Sequence, residues 1–551
     1  MVLSRQKARL LAGLAVVAAV TGMTATASWA HDPDTPAGRD AARRFLVDRE
    51  PVSKAAPITG AAATPCVNGT AAGYPCKGVD LLSVLPMNSI GGGQGNDIWG
   101  WTDQLTGKEY ALMGRTNGTA FVDISTPTSP IYLGNLPTHS GTAPWRDIKV
   151  YKDHAFIVAD VSGHGMQVFD LTRLRNISSP QKFTADKHYA QFGNAHNIAI
   201  NEATGYAYAV GSNTCSGGPH MVDIRTPKTP VSAGCVAADG YTHDTQCVIY
   251  KGPDATYTGR ELCFNANEDT LTIVDVTNKA TPKQVVRKTY NGSAYSHQGW
   301  LTEDHKYFLL DDELDEQKRS VNTQTYIWNV QDLDAPVHTG TYTAPSKAID
   351  HNQYVLGNYS YQANYRAGLR IVDISKVATA QLTEAAYFDI YPADSNGSFN
   401  GAWSTYPYFP SGNVVISGIE QGLFVVKPQL GNIPPPTGQA YTNDTDVAIQ
   451  DKATVVSEIP ITARSGNASS AVKVDVRIRH TYRGDLAIDV VAPDGTAYRV
   501  KDPSNGDGAD DVVATYTINA SSEPINGTWK LRIQDLYTGD TGTLDSWTIT
   551  P

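Results

Sequence analysis

Ala120-Phe121-Val122-Asp123-Ile124-Ser125-Thr126-Pro127-Thr128-Ser129-Pro130 is a short apolar run that ends in aspartate and passes into a Pro-bounded turn. The run returns as Gln167-Val168-Phe169-Asp170, His220-Met221-Val222-Asp223, Thr272-Ile273-Val274-Asp275, Tyr326-Ile327-Trp328-Asn329 and Arg370-Ile371-Val372-Asp373. A seventh, degenerate copy is Leu423-Phe424-Val425-Val426. Strand-like runs at a period of about 50 residues are the sequence sign of propeller blades. The pattern predicts an all-β fold with a seven-bladed β-propeller over residues 66–430, each apolar run being the third of four strands. Long helical periodicity is nowhere visible, and Gly, Asn, Asp and Pro punctuate the short strands.

The last repeat runs directly into Gly431-Asn432-Ile433-Pro434-Pro435-Pro436-Thr437-Gly438, a stiff Pro-rich linker over 431–438, and so has no fourth strand of its own. A spare strand stands at the other end of the repeat region, Val79-Asp80-Leu81-Leu82-Ser83-Val84-Leu85-Pro86. Donated to the last blade, it would close the ring and remove an exposed edge.

Residues 1–30 read as a signal peptide. Arg5, Lys7 and Arg9 are followed by an apolar stretch from Leu10 to Val20 and by the small-residue site Ser28-Trp29-Ala30. That stretch is too short to span a bilayer. The reading is of a monomeric protein that is secreted, extracellular or at the cell surface, with no transmembrane segment. Residues 31–65 are expected to be a mobile N-terminal arm. The formal charge is −11 for the whole chain, which disfavours nucleic acid as a partner. Six cysteines in an exported chain point to disulfides. Fifteen connectivities are possible for six. The expected one joins sequence neighbours, Cys66 with Cys76, Cys215 with Cys235 and Cys247 with Cys263, because each pair then staples one loop or adjacent strands.

Aligned on the apolar run, the innermost strands open with Asn96-Asp97, Arg146-Asp147, His196-Asn197, His243-Asp244, His297-Gln298, His351-Asn352 and Trp403-Ser404. Four consecutive repeats thus place a histidine at one mouth of the channel. Their imidazoles, with Glu313 from the acidic loop Asp311-Asp312-Glu313-Leu314-Asp315-Glu316, suit a zinc or manganese ion. The other reading turns each ring into the gap between blades, where it donates to a backbone carbonyl. The acidic loop has its own alternative as a solvated turn. Asp315, Tyr361, Tyr365 and Arg366 are candidates for binding a sugar or peptide, against the reading that the tyrosines are core. No G-x-S-x-G, H-E-x-x-H or P-loop pattern occurs.

The repeat region resembles the choice-of-anchor B family, whose blades are LVIVD repeats. The resemblance rests on Pro65-Cys66 and Pro75-Cys76, on Tyr257 to Cys263, on Ser296 to Glu303 with Asp311 to Glu316, and on Asp350 to Tyr354 through Gly368 to Asp373. It implies a surface or secreted propeller and no shared reaction. Residues 439–551 are similar to the P/Homo B domain of proprotein convertases and secreted bacterial proteases, through His480 to Leu486, Ala492 to Thr496, Asn526 to Leu531 and Gly542 to Trp547. That resemblance implies a jelly-roll β-sandwich that accompanies a protease and in some members holds calcium. The calcium candidates are Asp502, Asp507 and Asp510.

Three functions follow as expectations. The first is a recognition or scaffold protein for an extracellular polymer or protein. The others are a metal-dependent hydrolase or lyase at the histidine mouth, and an accessory to secreted proteolysis through the P domain.

Overall fold

The computed structural model describes residues 63–430, 440–461 and 467–551. The signal segment, the arm up to residue 62 and the linker expected at 431–438 lie outside the described residues.

Between residues 70 and 428 the strands form seven sheets, each built on four antiparallel strands; Gln181–Lys182 adds a parallel fifth strand to one, and Thr70–Ala71 with Tyr74–Lys77 extends another to six. The apolar runs are the third strands. The turn after them has one cause in six of the seven sheets. Asp123, Asp170, Asp223, Asp275, Asn329 and Asp373 each accept a hydrogen bond on Oδ1 from the backbone N–H two residues on, at 2.8–3.1 Å. This Asx turn ends the strand where a short carboxylate or amide competes with the ladder. Val426 cannot make it, and there the strand continues to Pro428. Five of the third strands also carry a β-bulge against the fourth at the same place in the repeat, between Phe121/Val122, Met221/Val222, Ile273/Val274, Ile327/Trp328 and Ile371/Val372. The bulge adds twist to the outer half of the sheet.

The core lies between sheets, face to face. Seven apolar clusters fill the seven gaps, as where Phe121 stacks on Phe169 at 4.7 Å and Phe264 on Phe308 at 5.6 Å. The circuit closes through the spare strand. Val79–Leu85 pairs antiparallel with Gly422–Pro428, and Ala402–Tyr406 packs beside Gly95–Thr102. The result is a propeller-like fold in which the first strand of every sheet faces a common axis. The disulfides are the three neighbour pairs, Cys66–Cys76, Cys215–Cys235 and Cys247–Cys263, the last directly cross-strand. Thr64 already pairs with Leu81, so the end of the expected mobile arm is tied to the closing strand.

Residues 440–551 build two further sheets around one core of their own, which includes Trp529 and Trp547. Strict alternation along Val472–His480 turns every second side chain inward. Nowhere among the described residues is there a helix long and apolar enough to cross a membrane.

Three outcomes follow from this packing. Leu81→Ala, at a fully buried position of the closing strand, should destabilise the repeat region by about 2–5 kcal/mol, while Ile131→Ala at a 56% exposed site should stay within about 0.5 kcal/mol; urea midpoints measure both. Replacing Cys247 and Cys263 together by serine should cost about 2–4 kcal/mol, read as a lower melting temperature without reductant. A fragment of residues 440–551 should melt cooperatively alone, as seen by circular dichroism, since its core draws on no other part of the chain.

Candidate functional site

His196, His243, His297 and His351 stand at the starts of four adjacent inner strands, and the ring closure brings them into one row. Their ring centroids are 4.4, 4.1 and 4.4 Å apart in that order. All four are buried. Each Nδ1 faces an acceptor. His243 Nδ1 donates to the His297 carbonyl at 2.8 Å and His351 Nδ1 to the Trp403 carbonyl at 2.6 Å. His297 Nδ1 lies 3.0 Å from Asp311 Oδ1, and His196 Nδ1 lies 3.6 Å from Asp160 Oδ2. A carbonyl cannot donate, so the proton of His243 and His351 sits on Nδ1 and the lone pair is left on Nε2. In His351 the two expectations meet in one side chain: Nδ1 ties it to the next sheet, and Nε2 lies 3.7 Å from a Glu313 carboxylate oxygen.

Inward of them is Glu313. Its carboxylate is 3.9 Å from His297 Nε2 and 3.7 Å from His351 Nε2, and the Tyr365 hydroxyl donates to it at 2.9 Å. The three ligand atoms of His297, Glu313 and His351 all lie within 4.8 Å of one another. Burial pushes the Glu313 carboxyl up to about 8 and the His351 imidazole down to about 3. Trp145, Tyr295, Leu314, Ile349, Tyr365, Phe399, Trp403 and Ile419 form an apolar cluster around the site, so the polar groups meet in a dry environment. Two imidazoles and one carboxylate are a ligand set for a borderline divalent ion. A histidine whose other nitrogen is held by a carboxylate or carbonyl is the usual outer-shell arrangement at a metal. The residues present therefore fit zinc or manganese. His196 and His243 continue the row outside this three-residue cluster.

The channel-facing residues one position further on are structural. Asp97 Oδ2 accepts from Ile148 N–H and Asp147 Oδ2 from Ile198 N–H, at 3.3 and 2.6 Å, while Asn197 donates to the His243 carbonyl at 3.0 Å. Each ties one inner strand to the next.

The remaining candidates are corrected by their surroundings. The acidic loop is buried, not solvated: Asp312 accepts from Tyr290 and from the N–H groups of Ala294 and Tyr295, and Asp315 accepts from the Tyr326 hydroxyl at 2.6 Å. Asp315 is thereby a support of the short helix Asp315–Arg319 and not a ligand contact. Tyr361 is 1% exposed within the apolar core between two sheets, and Tyr365 is spent on Glu313. Arg366 is buried, paired with both oxygens of Asp394 at 3.0 Å and stacked on Tyr391. None of the four offers a surface for stacking a ligand. In the second domain Asp507 is paired with Arg483 at 2.9 Å, and Asp502 and Asp510 are exposed. These three are not among the described residues whose ligand atoms converge on a point. Sequence reasoning missed Asp160, directly after the second strand His154–Ala159, and the orienting role of Asp311, within the second strand Tyr307–Asp312; neither carries a signal in the strand that bears the histidine.

Comparison with known proteins agrees with the two-part reading. The LVIVD repeat model matches residues 107–138 and 353–385, and the proprotein convertase P-domain model matches residues 469–551. The chain is 53% identical over 113 residues to the transglutaminase-activating metalloprotease of Streptomyces mobaraensis, covering 20% of this chain and 15% of that protein. It is 50% identical over 119 residues to leupeptin-inactivating enzyme 1 of Streptomyces exfoliatus, covering 21% and 27%. It thus spans about a quarter or less of these relatives. Among solved structures, the Cps50 (Swd1) β-propeller domain of Myceliophteria thermophila is 12% identical with a TM-score of 0.37, covering 61% of this chain and 96% of that one. A functionally unknown protein from Desulfotomaculum acetoxidans is 12% identical with a TM-score of 0.41, covering 58% and 90%. The chain carries LVIVD repeats and a proprotein convertase P-domain.

Proposed function

We propose that this chain is an exported, monomeric recognition or scaffold protein of the choice-of-anchor B type, built as a seven-bladed propeller at 66–430 and a jelly-roll P domain at 439–551, with one divalent ion held by His297, Glu313 and His351. The observation that carries the metal is the convergence of those three ligand atoms within 4.8 Å, each imidazole presenting the nitrogen that its neighbours leave for it. Seven sheets in a closed circuit support the blade count, and two sheets over a shared core support the sandwich. An extracellular polymer or protein is the partner that this architecture suits, and the acidic composition disfavours nucleic acid.

A metal-dependent hydrolase or lyase is the second reading. Three protein ligands leave coordination positions open, and a bound divalent ion there would activate water or polarise an oxygen. The apolar cluster around the site must then open to admit a substrate, which is why recognition is placed first. Accessory work in secreted proteolysis rests on the protease names of the relatives. Matches of 113 and 119 residues have the size of the sandwich domain, and a fold that travels with proteases does not bring their chemistry.

Elemental analysis of the purified full chain should find about one equivalent of zinc or manganese, the stoichiometry of a single three-ligand site. His297→Ala should lose it while keeping the wild-type circular dichroism spectrum. Wild-type protein that neither retains nor takes up either ion would overturn the metal centre.

A further inference from the structure

The inner strands end at a second, different mouth. A cavity of about 430 Å³ lies there, and every one of the seven inner strands contributes to its lining. The contributions are in register. Side chains repeat every second residue on one face of a strand, and the positions two beyond Asp97, Asp147, Asn197, Asp244, Gln298, Asn352 and Ser404 are Trp99, Lys149, Ala199, Gln246, Trp300, Tyr354 and Tyr406, all of which line the cavity. Trp300 is three residues past His297, so this mouth is about 10 Å further along the strand than the histidines.

The walls are aromatic and held at angles to one another. Trp99 meets Tyr406 edge-on at 5.0 Å and Tyr354 at 5.6 Å, Trp300 meets Tyr354 edge-on at 5.0 Å, and Tyr408 packs on Tyr406 at 5.4 Å. Trp99, Trp300, Tyr406 and Tyr408 are partly exposed and line the cavity. The floor is polar. Gln246 spends its oxygen on the Leu301 N–H at 2.8 Å, which leaves its NH₂ as a donor, and Asp244 is half-buried beside it. Glu202 lines the cavity as an exposed residue.

Aromatic faces with a few convergent polar groups can take a quaternary ammonium or a sugar, and the charge distribution separates the two. The chain's own ammonium already occupies Trp99, with Lys149 Nζ 4.5 Å over the ring and bound to Asp147 at 2.5 Å and Asp97 at 3.5 Å. Burial also pushes the Asp244 carboxyl up to about 7, so near neutral pH it adds only part of a negative charge to draw a second cation. A pyranose needs what remains: flat aromatic faces for its C–H groups, and carboxylate and amide groups for its hydroxyls. Ligand pockets commonly run to roughly 300–1,000 Å³, and this one is at the small end, the size for a chain terminus or a short oligomer.

We propose that this mouth binds a short, uncharged oligosaccharide, its rings stacked on Trp300 and the neighbouring tyrosines and its hydroxyls bonded by Gln246, Asp244 and Glu202. The site rests on the recognition reading above and is independent of the metal.

The experiment is calorimetric titration of the purified full chain with cellotriose, maltotriose and chitotriose, and separately with tetramethylammonium. At least one trisaccharide should bind. Trp300→Ala should weaken it about tenfold, the scale of one lost aromatic contact, and Trp300→Phe should restore most of the affinity. Trp300 also packs against the apolar cluster of Leu309, Val355 and Val372, so affinities are compared below the melting transition of each variant, where its circular dichroism should be that of wild type. Saccharide binding that survives both Trp300→Ala and Tyr406→Ala would sink this site and leave the recognition reading standing. Binding of tetramethylammonium alone, or of none of the four probes, would overturn the proposal outright.

Discussion

The pairing of Val79–Leu85 with Gly422–Pro428 is the contact on which the rest of the molecule depends. The last sheet makes three strands from its own repeat, and without the fourth its outer edge would present unpaired N–H and C=O groups. The closing strand supplies them, and residues 338 positions or more apart in sequence become ladder partners at the cost of closing one very long loop, a cost that grows only logarithmically with length. Once the circuit is shut, each inner strand has a neighbour on both sides. The apolar cluster of Ile98, Met113 and Val122 with Val415, Leu423 and Val425 then seals the junction of first and last sheets.

Closure also makes the candidate metal centre. Repetition alone puts a histidine at the head of four inner strands, but only a ring turns four strand heads toward one axis. The row then serves two ends, and His351 serves both. Through Nδ1, His243 and His351 bond the backbone of the next inner strand and so tie sheet to sheet. Through Nε2, His297 and His351 face Glu313. A group that fixes the scaffold is thereby also oriented for a ligand, which is the pre-organisation that metal sites draw from their outer shell. A bound ion would in turn add its binding free energy to the ring.

The two mouths of the channel differ because position along a strand changes both partners and parity. At the start of the inner strands, second-strand carboxylates such as Asp311 and Asp160 approach the histidines. At the far end, the i+2 positions bring tryptophan and tyrosine around the same axis. Between them, Asp97, Asp147 and Asn197 bond from strand to strand and separate the two environments.

The repeats, their period, the closing strand and the neighbouring disulfides were all legible in the sequence, because each is written in local order: an apolar run, an aspartate that ends it by an Asx turn, a pair of cysteines close in the chain. The histidine row was legible for the same reason, since the repeats align it. What the sequence could not decide is which side chains face solvent and which nitrogen of each histidine points inward. Asp315, Tyr361, Tyr365 and Arg366 read as a binding surface in one dimension, and packing against Tyr326, the sheet core, Glu313 and Asp394 takes them out of it. Asp507 read as a calcium ligand until Arg483 met it across the domain. Burial and pairing are set by residues that stand from 11 positions away, as Tyr326 does from Asp315, to far beyond, and only the tertiary structure brings those partners within the few ångströms over which hydrogen bonds and ion pairs act.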